Sequence, residues 1–303
     1  MELELVAEGL QFPEGPIAMA DGSVILTEIQ RQTLSRVAAD GRRETIAELP
    51  GGPNGAAIGP DGAVYVTNNG GSFNFIDMGG LNVPGPTPPG HEGGSIQRVD
   101  LTTGAVTTLY TECDGKRLIG PNDLVFDRQG GFWFTDHGCT TAEGRKFGAL
   151  YYALTDGSQI VRWRDHFVSP NGVGLSPDEK TVYMADTTLG RLWSFDIAAP
   201  GVLADAPPLM PGNVVVTLPG YQLFDSLAVE ADGRVCVATI INGGITAISP
   251  GGATEHFAVP DVIVTNICFG GADMRDAWIT ASGTGKLYKA RWPRAGLRLN
   301  FNG

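Results

Sequence analysis

The sequence predicts an all-β fold, a six-bladed β-propeller with four antiparallel strands per blade, and three observations carry that prediction. A hairpin pattern recurs six times, strand-like pieces follow several of its copies, and the composition favours tight turns over helices. The copies are "PEGPIAMADGSVILTE" from Pro13, "PNGAAIGPDGAVYVTN" from Pro53, "PNDLVFDRQGGFWFTD" from Pro121, "PNGVGLSPDEKTVYMAD" from Pro170, "FDSLAVEADGRVCVAT" from Phe224 and "TNICFGGADMRDAWIT" from Thr265. In each, a polar residue opens an apolar run, a turn follows, and a second run rich in β-branched and aromatic residues ends near Thr, Asn, Asp or Glu. The turns fall at Asp21-Gly22, Asp61-Gly62, Gln129-Gly130, Pro177-Asp178, Asp232-Gly233 and Met274-Arg275. Asp-Gly between apolar runs is a strong hairpin signal because glycine accepts the positive φ that such turns need.

The second pair of strands in each unit is read from pieces such as "TLSRVAADGRRETIAE", "GSIQRVDLTTGAVTTLY" and "ALYYALTDGSQIVRW". Six units of about 40 residues or more are the signature of a propeller. The 43 glycines and 20 prolines are too many for a helical protein, while 42% hydrophobic residues supply a core. The chain, residues 1–303, is expected to form one domain. The widest spacing between copies contains an irregular Gly- and Pro-rich insertion at about 69–94. The edge strands need sealing, and "ELELVAE" at the start is expected to pair beside "GKLYKARW" at the end.

A net charge of -12 excludes nucleic acid and anionic membranes as expected partners, since both select clustered Lys and Arg. The opening "MELELVAEGL" is acidic where a secretory signal is basic, and no apolar run is long enough to span a bilayer, so the expected location is cytoplasmic. The oligomeric state is not legible. Cys113, Cys139, Cys236 and Cys268 form no C-x-x-C pair, and Cys236 and Cys268 lie in apolar runs as inert thiols. There is no G-x-S-x-G elbow, H-E-x-x-H, P-loop or dinucleotide fingerprint.

Innermost propeller strands run the same way along the axis, so the first polar residue of each copy is placed at one end of the central channel. That set is Glu14, Asn54, Asn122, Asn171, Asp225 and Asn266. A ring of oxygens without imidazole or thiolate suits a hard divalent cation, calcium first, with magnesium, manganese, zinc or iron(II) as alternatives. The same residues also begin strands well by bonding local backbone, which is the competing account of each position taken singly.

"FPEGP", "GPNDLVFD", "SPNGVGLSPD" and "FDSLAVEADG", in this order, resemble the senescence-marker-protein and gluconolactonase family of six-bladed propellers, and look closest to its drug-responsive lactonase branch. The resemblance implies metal ligands at Glu14, Asn171 and Asp225, with Asn122 as a fourth ligand or a substrate contact. Asn54 is a further candidate substrate contact. The resemblance also implies that Asp225 is the catalytic acid/base, and hints that Asp123 and Ser226 belong to the site. Strand alternation would turn Asp123 away, so it is expected to support the ligands from behind. Sugar-lactone members carry an arginine two residues before the Asn-Asp pair; Gly120 stands there in this chain.

The implied activity is a metal-dependent opening of a lactone, with the carbonyl polarised by the cation and Asp225 taking a proton from the attacking water. An organophosphate substrate on the same site and a non-catalytic, metal-stabilised propeller are the alternatives. Phe73, Phe75, Ile76, Met78 and Leu81 of the insertion are expected either to wall a less polar pocket or to pack on themselves. His137 follows the second strand of its copy and is expected away from the ligand face, as a solvated or hydrogen-bonded residue, and Trp133, Trp163, Trp193 and Trp278 are expected to pack between blades.

Overall fold

In the computed structural model, which describes residues 1–302, six four-stranded antiparallel sheets stand in a ring, as expected for a six-bladed propeller. The first strands of the six blades are Pro13–Ala18, Pro53–Ile58, Pro121–Phe126, Pro170–Leu175, Leu223–Val229 and Val264–Gly270. Each pairs with a second strand reached by the expected turn: Val24–Glu28, Val64–Asn68, Gly131–Asp136, Thr181–Asp186, Val235–Ile240 and Asp276–Ala281. Gly22, Gly62, Gly130 and Gly233 take positive φ in four of these turns, while Glu179 does so in the fourth blade and both Gly271 and Met274 in the sixth. The fourth blade carries an extra short strand, Val202–Leu203, beside its third.

Closure follows the expected pairing. Leu3–Ala7 lies antiparallel to Lys286–Arg291, so the last blade takes its outer strand from the start of the chain and the ends are tied together. Ser282 Oγ of the last blade also donates to Pro13 O of the first at 2.6 Å. No helix among the described residues is long and apolar enough to cross a membrane.

Neighbouring blades are locked where their first strands begin. Thr27 Oγ1 donates to Asn54 O and Thr67 Oγ1 to Asn122 O, both at 2.5 Å, and Thr135 Oγ1 makes the same bond to Asn171 O. The residue after each polar position sits hard against the next blade. A Cβ on Gly15, Gly55 or Gly172 would lie 2.6, 2.7 or 2.7 Å from backbone atoms of the following first strand, so only glycine fits. Every first strand also carries a register shift just after its opening residues. Such bulges re-aim side chains without ending the strand.

The insertion differs from the irregular loop expected. Within it, Asn74–Asp77 pairs with Asn82–Gly85 as a hairpin. Phe75, Leu81 and Val83 pack on Phe12, Ile29 and Ile263, with the Phe75 and Phe12 rings 5.1 Å apart. Asn82 N donates to Gly283 O, and Thr87 N to Thr140 O. The hairpin thus leaves the second blade and buries its apolar face against the first, fifth and sixth, while Thr87 ties the insertion's return to the third. Ile76 and Met78 instead face outward, exposed at 45% and 65%.

Replacing Thr67 by Val removes a buried cross-blade bond and orphans the Asn122 carbonyl. We expect a loss of about 1–3 kcal/mol in urea unfolding; a variant as stable as its parent would contradict the locking role.

Candidate active site

All six predicted ring residues are buried at the same end of the channel, where the first strands begin. Their fixings differ. Glu14 Oε2 accepts from Gly15 N at 2.7 Å and from Asn266 Nδ2 at 2.8 Å. Asp225 Oδ1 accepts from Ser226 N at 3.1 Å. Asn171 Nδ2 donates to Thr187 Oγ1 at 3.0 Å, which sets its amide, and Ser226 Oγ makes a long 3.4 Å contact to Asn171 Oδ1. Asn122 Oδ1 is buried and has no partner in the protein.

Charge is the dominant feature of this end. Burial pushes the Glu14 carboxyl well above the usual range, repulsion from Asp225 pushes it further, and the Asn266 amide opposes both. Asp225 is likewise raised well above that range by burial, with Asp123 adding to the shift. Asp123 is pushed up to about 7 by burial despite accepting from Val173 N at 3.2 Å and Leu124 N at 2.9 Å. Strict alternation does not hold for Asp123, because the register shift between Pro121 and Leu124 falls on it. Its carboxylate occupies the place that glycine takes in three other copies, wedged between Gly55 and the fourth blade.

Asp123 also lines a cavity of about 150 Å³ further down the channel, walled by Ile17, Val173 and Leu227 and closed by the tail around Leu297–Phe301. The tail is anchored by Leu297 N on Val229 O and by Asn300 Nδ2 on Phe126 O at 3.1 Å. That cavity lies beyond the ring, away from the ends where the first strands begin.

Among the described residues no cluster of three or more His, Cys, Asp or Glu side chains with metal-site geometry occurs. The donor set is instead two carboxylates and neutral amides. Two buried carboxylates without a neutralising cation, beside an amide oxygen with no partner, fit a hard divalent ion. Glu14, Asn122, Asn171 and Asp225 are the residues that would hold it.

The second strand of each blade returns to this same end, which corrects the expectation for His137. Asp136 pairs with Pro121, and His137 N donates to Gly120 O at 2.8 Å, so His137 lies at the ring's end of the channel, its imidazole against Arg145 and Phe73. Gly120 itself has no room for a side chain: a Cβ there would lie 2.7 Å from Gly138 O. The missing arginine is thus replaced by close backbone packing. Trp133, Trp193 and Trp278 are buried, whereas Trp163 is half-buried and donates its Nε1–H to Gly201 O at 2.8 Å. Burial raises the Cys236 and Cys268 thiols, the latter to about 12, consistent with inert residues.

Residues 12–283 match the model of the SMP-30/Gluconolactonase/LRE-like region. The chain belongs to this family. Among its relatives, a gluconolactonase of Zymomonas mobilis is 23% identical over 88% of this chain and 76% of its own. The lactonase drp35 of Staphylococcus saprophyticus is 26% identical over 83% and 70%. Among solved structures, the gluconolactonase XC5397 of Xanthomonas campestris superposes with a TM-score of 0.75 at 22% identity, covering 96% of this chain and 89% of that one. Regucalcin of Agrobacterium tumefaciens, described as a calcium-binding protein, gives 0.70 at 19%, covering 96% and 95%. These likenesses bear on the fold, and the family on a lactone-hydrolase class.

The cation-free protein should lose stability as pH rises. Glu14, Asp225 and Asp123 keep their protons in the folded state at pH values where the unfolded chain has released them, so each step above the ordinary carboxyl range, about 4, favours unfolding. Melting of chelator-treated protein between pH 5 and 8 should show a falling midpoint, by several degrees, that added calcium restores. A flat or rising midpoint would contradict the unneutralised ring.

Proposed function

We propose that the protein is a divalent-metal-dependent lactonase whose site is built on Glu14, Asn122, Asn171 and Asp225. The observation that carries this reading is the meeting of Glu14 and Asp225, two buried carboxylates, with the unpartnered Asn122 Oδ1 in a chain of the gluconolactonase family. A cation held there would supply Lewis acidity toward the ester carbonyl, calcium being best matched to an all-oxygen set.

The chain's own residues supply the rest. Asp225 takes a proton from the attacking water. Glu14, fixed by Gly15 N and Asn266, provides the second negative charge without moving. Thr187 accepts from Asn171 Nδ2 and so fixes the plane of that amide beside Asp225. Asn54 and Asn122 are the proposed substrate contacts, while Asp123 and Ser226 brace the ring from the blade interfaces. The proposed substrate is a small lactone and the product its hydroxy acid.

A second reading, a phosphotriester substrate on the same residues, is supported by 25% identity to the diisopropyl-fluorophosphatase of Loligo vulgaris over 62% of each chain. Chelator-stripped protein given one divalent cation at a time should release acid from lactones faster than it cleaves an activated phosphotriester. The reverse ranking would replace the substrate. Asp225→Asn should lower kcat by at least about a thousandfold while far-UV circular dichroism and melting are retained. Turnover within tenfold of the parent would remove Asp225 from the chemistry.

A further inference from the structure

Directly beyond the ring lies a second tier. In each blade, the residue that follows or ends the second strand stands opposite a position shortly before the ring residue, two before it in the first five blades and three before it in the sixth. Ile29 N donates to Phe12 O, Asn69 N to Gly52 O, His137 N to Gly120 O, Thr187 N to Ser169 O and Ser282 N to Ile263 O, while Ile240 pairs with Leu223. The tier is divided in character. Ile29 and Ile240 belong to the apolar cluster under the inserted hairpin, with Phe12, Ile263 and Phe75. Across from it, the second, third and fourth blades present Asn69, His137 and Thr187.

Thr187 is used to orient Asn171, whereas its two neighbours have donors to spare. Asn69 is only 1% exposed, and its Oδ1 accepts from Gly71 N at 2.9 Å and Ser72 N at 3.0 Å, which fixes the amide and leaves Nδ2 with no partner. A buried N–H donor without an acceptor is costly to keep, so its retention points to a ligand. His137 Nδ1 lies 3.1 Å from Arg145 Nη2, and a guanidinium can only donate, so the imidazole proton must be on Nε2.

Arg145 is itself held, by Val168 O at 2.8 Å, Thr140 Oγ1 at 3.0 Å and His137 O. Its charge is therefore spent on positioning. Burial, and then Arg145, lower the imidazole to about 3, so the ring stays neutral. Among the described residues Nε2 makes no hydrogen bond. Residues 69–73 bridge the two donors: Ser72 lies against Gly120, and the Phe73 ring meets the His137 ring at 6.0 Å.

We propose that Asn69 Nδ2–H and His137 Nε2–H form a two-donor tier that receives the oxygens of a lactone's ester group, with the lactone's hydrocarbon ring turned toward the apolar wall of Phe12, Ile29, Ile240 and Ile263. The inference rests on the lactonase reading for its substrate but not for its geometry. Arg145 is a positioning residue, and His137 and Asn69 are substrate contacts. Both donors are neutral, so they select acceptor oxygens without drawing in anions.

The test pairs kinetics with spectroscopy on the full-length protein. With δ-valerolactone, His137→Ala and Asn69→Asp, which keeps the turn's acceptor but deletes the donor, should each raise KM about tenfold with kcat changed less than threefold. His137→Gln, whose amide N–H replaces Nε2–H, should recover most of the loss. Melting shows whether each variant is folded. In parallel, 15N spectra of histidine-labelled protein should place the His137 proton on Nε2, and the unreactive δ-valerolactam should shift that resonance in proportion to occupancy. A proton on Nδ1, a resonance indifferent to the lactam, or unchanged KM in folded His137→Ala would overturn the proposal. If the protein opens no lactone yet the lactam still shifts Nε2, the tier stands and the lactonase reading falls.

Discussion

Close approach of neighbouring first strands is the constraint on which the rest of this molecule depends. Six strands that run one way around a narrow axis bring each opening backbone within contact of the next, as the would-be Cβ positions of Gly15, Gly55 and Gly172 measure. The threonines at the second-strand ends convert that approach into directional bonds, by donating across the blade boundary to the carbonyls of Asn54, Asn122 and Asn171. The residues whose side chains line the candidate site are therefore the residues whose backbones hold the ring together. A structural bond at the carbonyl and the proposed role at the side chain are compatible because the bulge separates their directions.

This coupling explains why the site can concentrate charge. Burying Glu14, Asp225 and Asp123 near one another opposes their ionisation in the folded protein, a cost that the proposed cation would offset. A fold closed by pairing of its two ends and by the Ser282 bond to Pro13 resists the repulsion. Rigidity of the frame keeps the oxygens in place before anything binds, which is the condition for electrostatic catalysis at low reorganisation.

The asymmetry above the ring has a different origin. The ring repeats because the blades repeat, but the tier beyond it is built from strand ends and loops, where each blade is free to differ. The apolar hairpin covers the first and sixth blades, and the short hairpin bearing Arg145 rises on the third. In the proposed reading, substrate choice belongs to the loops and hydrolytic capacity to the frame.

What the sequence by itself determined is what repeats along it. The turns, the six opening polar residues, the pairing of the two ends and the burial of Trp133, Trp193 and Trp278 were legible because period-2 alternation and Asp-Gly chemistry are local. So was the family, from motifs kept in order. Local pattern did not reach what depends on neighbouring blades. Asp123 follows no simple alternation, because a bulge interrupts it. His137 stands at the ligand face because an antiparallel partner returns to where its hairpin began, and its free nitrogen is known only from the arginine eight residues on that occupies the other. The inserted hairpin finds its apolar partners on three other blades. These are contacts between segments far apart in the chain or turned by loops, and only the closed ring brings them together.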